Sequence, residues 1–462
     1  MDEGVPRVPP GGERGDRAVV AVRTLGCKVN QAGGERIAGE LARRGVRLSR
    51  EGEAAVVVVN SCTVTGEADA KVRKAVRRAL NAARRPAVVV TGCLARLDAE
   101  ALASLGERVV VEPDPEAVAL RVLELLGLPE DLRGASPSRA PAGGGAPSPF
   151  RTRALVKVQE GCDARCAYCI VPDARGGPRS EPFERVVAEV AALSAAGVAE
   201  VVLTGTNVGR FDGPGGLPAL LREVAATGVG RIRLSSIEPL DLTDAFLEAA
   251  SSVGAFVPHL HVPLQSGSDR VLAAMRRGYS ARTFAQRVAA ARDAIPRLAV
   301  TTDALVGFPG ETAEEFAGTV ALAEEVGFAS MHVFRYSPRP GTPAAVMPGR
   351  MSAEEVARRS RVLRRTSEGL SRAYRAARLG GCADVLVETL SPPEAEGTSE
   401  DYLKVRFSLE EAQAGEVVRV RLTALSGCGM TAEVFPAPDP GRDRPGRGRR
   451  DPLRAGKEQP EW

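Results

Sequence analysis

The chain has 462 residues, 44% of them hydrophobic and 26% charged, and its 62 basic against 58 acidic side chains leave a net charge of +4. At ~150 residues per domain this is room for about three cores, and the composition excludes fibrous, collagen-like, wholly disordered and disulfide-scaffolded proteins. So mild a charge does not announce a nucleic-acid binder, although a clustered basic surface would be compatible with it.

The opening stretch MDEGVPRVPPGGERGDR is charged and rich in Pro and Gly, without the apolar core of a signal peptide. No apolar run reaches the ~18–20 residues of a membrane helix, so the sequence predicts a soluble cytoplasmic protein with no membrane association. Its eight cysteines then lie in a reducing compartment, where close Cys spacing points to metal or catalysis rather than disulfides.

An N-terminal domain, 18–133, alternates apolar runs with helical patterns. Ala18–Arg23, Ala54–Asn60, Ala87–Thr91 and Arg108–Glu112 read as buried strands, and Glu35–Arg44, Glu67–Arg84 and Asp98–Leu105 as helices. That is a βαβ series, hence an α/β domain with a parallel sheet covered on both faces. Residues 134–149 (GASPSRAPAGGGAPSP) are a linker by composition. A second alternating series opens the next domain, 150–378, with strands at Leu155–Gln159, Glu200–Gly205, Arg231–Ser236, Phe256–Val262, Leu298–Val306 and Ser330–Arg335. Six βα units fit a partial barrel or an open sheet equally well. A polar helix spans Ser352–Arg378. The segment 379–436 is small and all-β, with strands at Asp384–Leu390, Tyr402–Ser408 and Val417–Leu425, and the Arg-rich tail 437–462 reads as disordered.

Cys162, Cys166 and Cys169 form a C-x3-C-x2-C loop directly after the first strand of the second domain. Three thiolates on one short loop can hold three irons of a [4Fe–4S] cube and leave the fourth iron open, whereas zinc would want a fourth protein ligand and no His or Cys lies nearby. Cys27, Cys62 and Cys93 are far apart in sequence, yet each falls just past the C-terminal end of a first-domain strand. In a parallel sheet those ends share one edge, where open α/β folds bind ligands, so these three could hold a second cluster. Cys382 and Cys428 have no such partners.

The loop, including Tyr168 just before its last Cys, resembles the signature of the radical S-adenosylmethionine (SAM) superfamily. From about 18 to 436 the chain resembles the methylthiotransferase family, with a three-cysteine first domain, a radical SAM partial (β/α)6 barrel and a C-terminal TRAM domain. The flanks Leu25-Gly-Cys-Lys-Val-Asn-Gln31 and Asn60-Ser-Cys-Thr-Val-Thr65 are similar to the branch acting on N6-threonylcarbamoyladenosine beside the tRNA anticodon. Other branches act on isopentenyladenosine or on ribosomal protein S12. Arg231–Glu238, His259–Ser268, Asp303–Thr312 and Tyr336–Pro343 agree with the family, while Ala32, Gly33 and Gly34 depart from its usual aromatic and acidic pair, and Arg335 stands for a more usual Pro.

The resemblance implies two [4Fe–4S] clusters, SAM as both methyl donor and radical source, tRNA as substrate, and an electron donor of flavodoxin or ferredoxin type; the sulfur source is unknown. Candidates for binding SAM, besides Tyr168, lie at strand ends of the second domain: Thr204, Gly205, Ser236, Glu238, Gln265, Asp303 and Gly307. His259, His261 and His332 read as sheet packing rather than metal ligands. RNA contact has two candidate sources. One is the last domain, with Tyr402, Lys404, Arg406 and Phe407 on one strand and Arg419 and Arg421 on another. The second is the first-domain helix with Lys71, Arg73, Lys74, Arg77, Arg78, Arg84 and Arg85.

Overall fold

The computed structural model describes residues 19–128, 152–409 and 413–435, so the linker 134–149 and the tail 437–462 lie outside the described residues. The first sheet comprises β1 (Val19–Thr24), β2 (Arg47–Leu48), β3 (Val56–Ser61), β4 (Ala87–Gly92) and β5 (Val109–Val111). Its strands are all parallel, in the order β2-β1-β3-β4-β5. The uninterrupted valine runs follow from burial on both faces. Val56, Val58 and Val89 pack with Ile37 and Leu41 on one side, while Val57, Val59, Val88 and Val90 meet Val72, Val76 and Leu94 on the other. Each fully buried valine contributes about 1.5–3 kcal/mol relative to exposure.

The predicted helix from Glu35 begins earlier, at Lys28, directly on Cys27, and runs to Arg43. Asn30 explains the early start. Its amide donates to Leu25 O at 2.9 Å and Ser61 O at 2.7 Å, fastening the first turn to the sheet edge. The second helix spans Gly66–Leu80, capped by the Thr65 side chain, so Arg84 and Arg85 lie beyond it.

The central domain carries β6 (Arg153–Lys157), a short antiparallel pair β7 (Gln159–Glu160) and β8 (Arg179–Ser180), then β9 (Glu200–Thr204), β10 (Arg231–Leu234), β11 (His259–His261), β12 (Ala299–Val306) and β13 (Ser330–Arg335). The ladders β6-β9-β10 and β11-β12-β13 are parallel. They join at Ile232, whose N–H donates to Ala255 O at 2.7 Å and whose carbonyl accepts from Val257 N at 3.0 Å. Among the described residues no ladder closes β13 on β6. The alternative left open by the pattern is thereby decided for a partial barrel, and the helix 28–43 lies against β6 and β9 at its open side.

The helix Ala353–Ala377 leads into a closed five-stranded barrel: β14 (Cys382–Ser391), β15 (Glu394–Ser399), β16 (Lys404–Ser408), β17 (Val417–Ser426) and β18 (Gly429–Val434), in the order β14-β15-β16-β18-β17. Strands β15 (EAEGTS) and β18 (GMTAEV) were not expected, because neither carries the β-branched run that marked the others. Two expected RNA-contacting side chains are corrected here. Phe407 is buried in this barrel's core, as the alternation of β16 requires. Tyr402 is not on a strand but in the turn after β15, at φ +71. Lys404, Arg406, Arg419 and Arg421 remain on the outer surface, Lys404 paired with Glu388 and Arg406 with Glu396.

This small barrel seals the N-terminal end of the partial barrel. Arg233, fully buried, donates to Glu400 O at 3.1 Å and Ser399 O at 3.2 Å, Arg231 donates to Asp384 O at 3.2 Å, and Arg153 pairs with Glu388 at 2.7 Å. Among the described residues no helix is long and apolar enough to cross a membrane.

Candidate catalytic centre: two cysteine triplets

At the C-terminal edge of the first sheet, Cys27 caps the helix 28–43, Cys62 follows β3, and Cys93 opens the short helix Cys93–Leu97 after β4. Gly26, at φ +101, makes the approach possible: a Cβ there would stand 2.6 Å from Cys62 Sγ. Ser61 Oγ accepts from Leu94 N and Ala95 N at 3.1 and 3.2 Å, locking the turn that presents Cys93. Burial raises the Cys62 thiol and pushes Cys93 up to about 11, with Arg175 working against it and the Cys27 and Cys62 thiols adding to it. The three converge.

The second triplet sits on the loop after β7. Gly161 is at φ +79, with a Cβ position 2.0 Å from Gly177 O, so only glycine fits where the loop turns. Gln159 donates to Gly161 O at 2.8 Å and accepts from Asn207 N at 2.9 Å. Ala167 N donates to Met275 O at 2.9 Å, and Cys169 N to Cys166 O at 3.0 Å. Burial raises Cys162 and pushes Cys169 up to about 12, reinforced by the neighbouring thiols. All eight cysteines are free.

Spacing tests what such triplets can hold. Among the described residues, one group of His, Cys, Asp or Glu has three donor atoms all within 4.8 Å of one another, and it is His261, Asp303 and His332. Both cysteine triplets are spread wider. A single tetrahedral ion with metal–sulfur bonds of ~2.3 Å would draw its thiolates to about 3.8 Å apart. The wider spread suits thiolates on separate irons of a cube.

Four basic residues with no role assigned from the sequence lie around these centres, and one of them, Arg175, bridges the two loops. Arg175, buried in the short helix Val171–Arg175, pairs with Glu160 at 2.6 Å and donates to Asn30 Oδ1, which lies 3.8 Å from Cys93 Sγ. Arg277 donates to Cys166 Sγ at 3.4 Å and is held by Glu238 and by Tyr279 Oη at 3.2 Å. Arg339 reaches from the loop after β13 to Thr63 Oγ1 at 2.6 Å and Asp69 at 2.7 Å, beside Cys62. Lys28 points into the partial barrel, 5.7 Å from the Tyr402 ring centre. Only proximity in the fold reveals these roles. The sequence signal was confined to Lys28 flanking Cys27 and Arg339 within Tyr336–Pro343.

The expected SAM-binding residues fall in different surroundings. Tyr168 packs with Ala167, Met275 and Phe308, and burial raises its hydroxyl. Gly205 follows β9, its N–H directed at Ser235 Oγ (3.4 Å), and Ser236 lies just past β10. Burial raises the Glu238 carboxyl while Arg277 opposes it, so Glu238 orients the arginine at Cys166. Gln265 adopts φ +65, its backbone bonded to both Asp303 O and Leu305 N. Gly307 faces Val356, and a Cβ there would stand 2.6 Å from it. Asp303 sits inside β12 rather than at its end, 3.2 Å from His261 and 3.1 Å from His332. Burial works to raise its carboxyl, but hydrogen bonds from both histidines outweigh this and hold it well below the usual range. Thr204 Oγ1, a candidate from the sequence, and two groups the sequence did not assign, Asn207 Oδ1 and the Tyr336 hydroxyl, are buried at these strand ends without a protein partner among the described residues. Such atoms fit a cradle for a polar ligand.

Lower in the barrel, His259 donates or accepts at Thr301 Oγ1 (3.1 Å) and stacks on Tyr402 with ring centres 4.5 Å apart. Burial works to raise the Tyr402 hydroxyl, but Lys28, Arg153 and Arg233 around it prevail and lower it.

Comparisons with known proteins agree with this geometry. Residues 156–323 match the radical SAM superfamily, and residues 19–111 match the Uncharacterized protein family UPF0004. The threonylcarbamoyladenosine tRNA methylthiotransferase MtaB of Thermotoga maritima is 35% identical, covering 89% of this chain and 96% of its own length. Its namesake in Bacillus subtilis is 37% identical over 88% and 94%. The chain belongs to the radical SAM tRNA methylthiotransferases. The family includes a second kind of relative: tRNA-2-methylthio-N(6)-dimethylallyladenosine synthase of Sphingopyxis alaskensis is 34% identical, covering 90% of this chain and 97% of its own. Among solved structures, the radical SAM methyltransferase TsrM of Kitasatospora setae, with tryptophan and a SAM analogue bound, matches with a TM-score of 0.51 at 16% identity, covering 71% of this chain and 75% of that one. That likeness concerns the fold. Membership makes this chain an enzyme of the methylthiotransferase class that uses SAM and a [4Fe–4S] cluster.

Proposed function

We propose that this methylthiotransferase acts on tRNA at C2 of N6-threonylcarbamoyladenosine 37, giving the 2-methylthio derivative. The observation that carries the reading is the convergence of Cys27, Cys62 and Cys93 on one sheet edge, joined through Asn30 and Arg175 to the helix that follows the Cys162–Cys169 loop. The flanks Gly26-Cys-Lys-Val-Asn-Gln31 and Cys62-Thr-Val-Thr65 favour the threonylcarbamoyl substrate, as do the activities for which the Thermotoga and Bacillus relatives are named.

Cys162, Cys166 and Cys169 would hold the cluster that binds SAM, and Cys27, Cys62 and Cys93 a second one. When bound, these groups supply the radical that activates the C–H bond and the methylthio group that replaces its hydrogen. The chain's own residues hold and shield. Arg277 keeps a positive charge against Cys166, Arg175 keeps one between the two loops, and the oxygens of Thr204, Asn207 and Tyr336 offer partners to SAM. The floor sealed by the small barrel closes one end of the cavity to water, which protects a reactive species. Lys404, Arg406, Arg419 and Arg421 on the small barrel would meet RNA phosphates, with Lys74 and Arg77 exposed on the helix 66–80 as a second basic surface. A flavodoxin- or ferredoxin-type protein would deliver electrons, and the enzyme would work with its tRNA in the cytoplasm.

The test is mass spectrometry of tRNA nucleosides from cells with and without the gene. Loss of 2-methylthio-N6-threonylcarbamoyladenosine, with accumulation of its unmethylthiolated precursor, is expected. An unchanged nucleoside together with a missing methylthio group on N6-dimethylallyladenosine would move the substrate to the other kind of relative.

A further inference from the structure

Lys28 is a cation at the barrel floor, beside the Tyr402 ring. Its neighbours Arg153, Arg231 and Arg233 each reach a carboxylate: Glu388 pairs with Arg153 at 2.7 Å, and Glu200 is shared by Arg231 at 2.9 Å and Arg233 at 2.7 Å. Glu200 is the carboxylate whose charge also reaches Lys28, and it is fully buried under those two guanidiniums. Among the described residues Lys28 forms no ion pair, and its ammonium stands over the Tyr402 ring, 5.7 Å from the centroid. The same ring has Arg153 and Arg233 at 5.6 and 5.0 Å, and it stacks on His259. Yet Tyr402 stays 36% exposed, so the space over this cationic floor is open to a ligand. A cavity wall with surplus positive charge beside an accessible aromatic face suits an anionic group carrying a short apolar portion.

The placement of Lys28 along the chain adds a second constraint. It follows Cys27 directly, so its ammonium lies within one side-chain length of the centre that delivers the methylthio group in the proposed reaction. On an adenine, C2 and the carbon bearing N6 flank the same ring nitrogen. A substituent on N6 and the carbon to be functionalised therefore share one edge of the base, and whatever presents C2 to the first-domain centre also brings the N6 substituent near it. The threonylcarbamoyl group ends in a carboxylate, and the dimethylallyl group is neutral throughout.

The geometry points to Lys28 as the residue that binds the threonylcarbamoyl carboxylate, with Tyr402 as the floor against which that substituent lies. This rests on the substrate reading above and deepens it. Lys28 is here a specificity residue: it selects the substrate by charge.

The test uses the full-length protein with its clusters reconstituted, under anaerobic conditions. Dissociation constants are measured for three forms of one tRNA, carrying at position 37 adenosine, N6-threonylcarbamoyladenosine, or the methyl ester of the latter. The wild type is expected to prefer the free carboxylate over the ester by about ten- to a hundred-fold, the value of one charge-assisted contact in a partly desolvated site. Lys28→Met should bring that ratio close to one, and Lys28→Arg should keep most of it. A ratio in Lys28→Met equal to that of the wild type overturns the assignment. The ester comparison within the wild type tests carboxylate recognition even if the Met variant folds poorly, because equal affinity for acid and ester also overturns it. Failure of the substrate reading looks different: the wild type would then bind the adenosine and threonylcarbamoyl forms alike and methylthiolate neither, which removes the subsite with it.

Discussion

The two cysteine centres are built in opposite ways. Cys162, Cys166 and Cys169 lie on one loop fastened by its own neighbours, Gly161 against Gly177 and Gln159 against Gly161 O. Cys27, Cys62 and Cys93 come from three loops that meet only when β1, β3 and β4 are in register. The first centre is a local object and the second a tertiary one. A local site can tolerate strain elsewhere in the chain, whereas a site assembled from three strand ends reports on the integrity of the whole sheet.

The sharpest way to separate them is to remove each in turn. Replacing Cys162, Cys166 and Cys169 by Ala is expected to abolish both SAM cleavage and methylthiolation, followed as 5′-deoxyadenosine and as modified nucleoside. Persistent deoxyadenosine would break the comparison at its root. Replacing Cys27, Cys62 and Cys93 should bring methylthiolation to background while SAM cleavage continues, with iron falling from about eight to about four per chain. Unchanged iron content would show that the scattered triplet holds no cluster.

A smaller effect sharpens the link between them. Arg175→Ala removes the charge joining Asn30 to the loop side, and ~10–100-fold loss of methylthiolation or of iron affinity at the first-domain centre is expected, as for other groups that orient metal ligands. Iron analysis beside SAM cleavage distinguishes the two centres. Smaller again, Arg419→Ala with Arg421→Ala should weaken tRNA binding several-fold and flatten its salt dependence by about one to two ion equivalents, leaving cysteine chemistry intact. An unchanged salt slope would move RNA contact to another surface.

The smallest effect concerns pH. The Asp303 carboxyl is held below its unfolded value by His261 and His332, so its stabilisation is present above about pH 4 and is lost as pH falls further through its folded value. Asp303→Asn should therefore lower the melting temperature of the cluster-free protein near neutrality, with the gap narrowing only below about pH 4. A gap independent of pH would assign its effect to packing instead.

The difference between the centres also explains what could be read from sequence. The contiguous loop was legible because spacing alone places its thiols, and the scattered triplet because each Cys follows a valine-rich strand whose direction the βαβ pattern dictates. The partial barrel could not be told from an open sheet, since the joint at Ile232 involves single backbone hydrogen bonds rather than a run of residues. Tyr402 was misplaced because an aromatic next to Lys404-Val-Arg-Phe407 continues a strand-like alternation, and only its turn geometry shows that it faces the barrel floor. Arg175 and Arg277 were invisible for a plainer reason. In a chain rich in arginine, nothing in the local pattern distinguishes a guanidinium beside a thiol from one in solvent.

The seal formed by Arg153, Arg231 and Arg233 against the small barrel has a mechanical side. These buried contacts, with Arg339 holding Asp69 on the opposite flank, tie both outer units to the partial barrel. Units tied through desolvated charge cannot part without stranding it, a cost of several kcal/mol. Heating should then melt all three together in one cooperative transition, rather than as separate beads along a string.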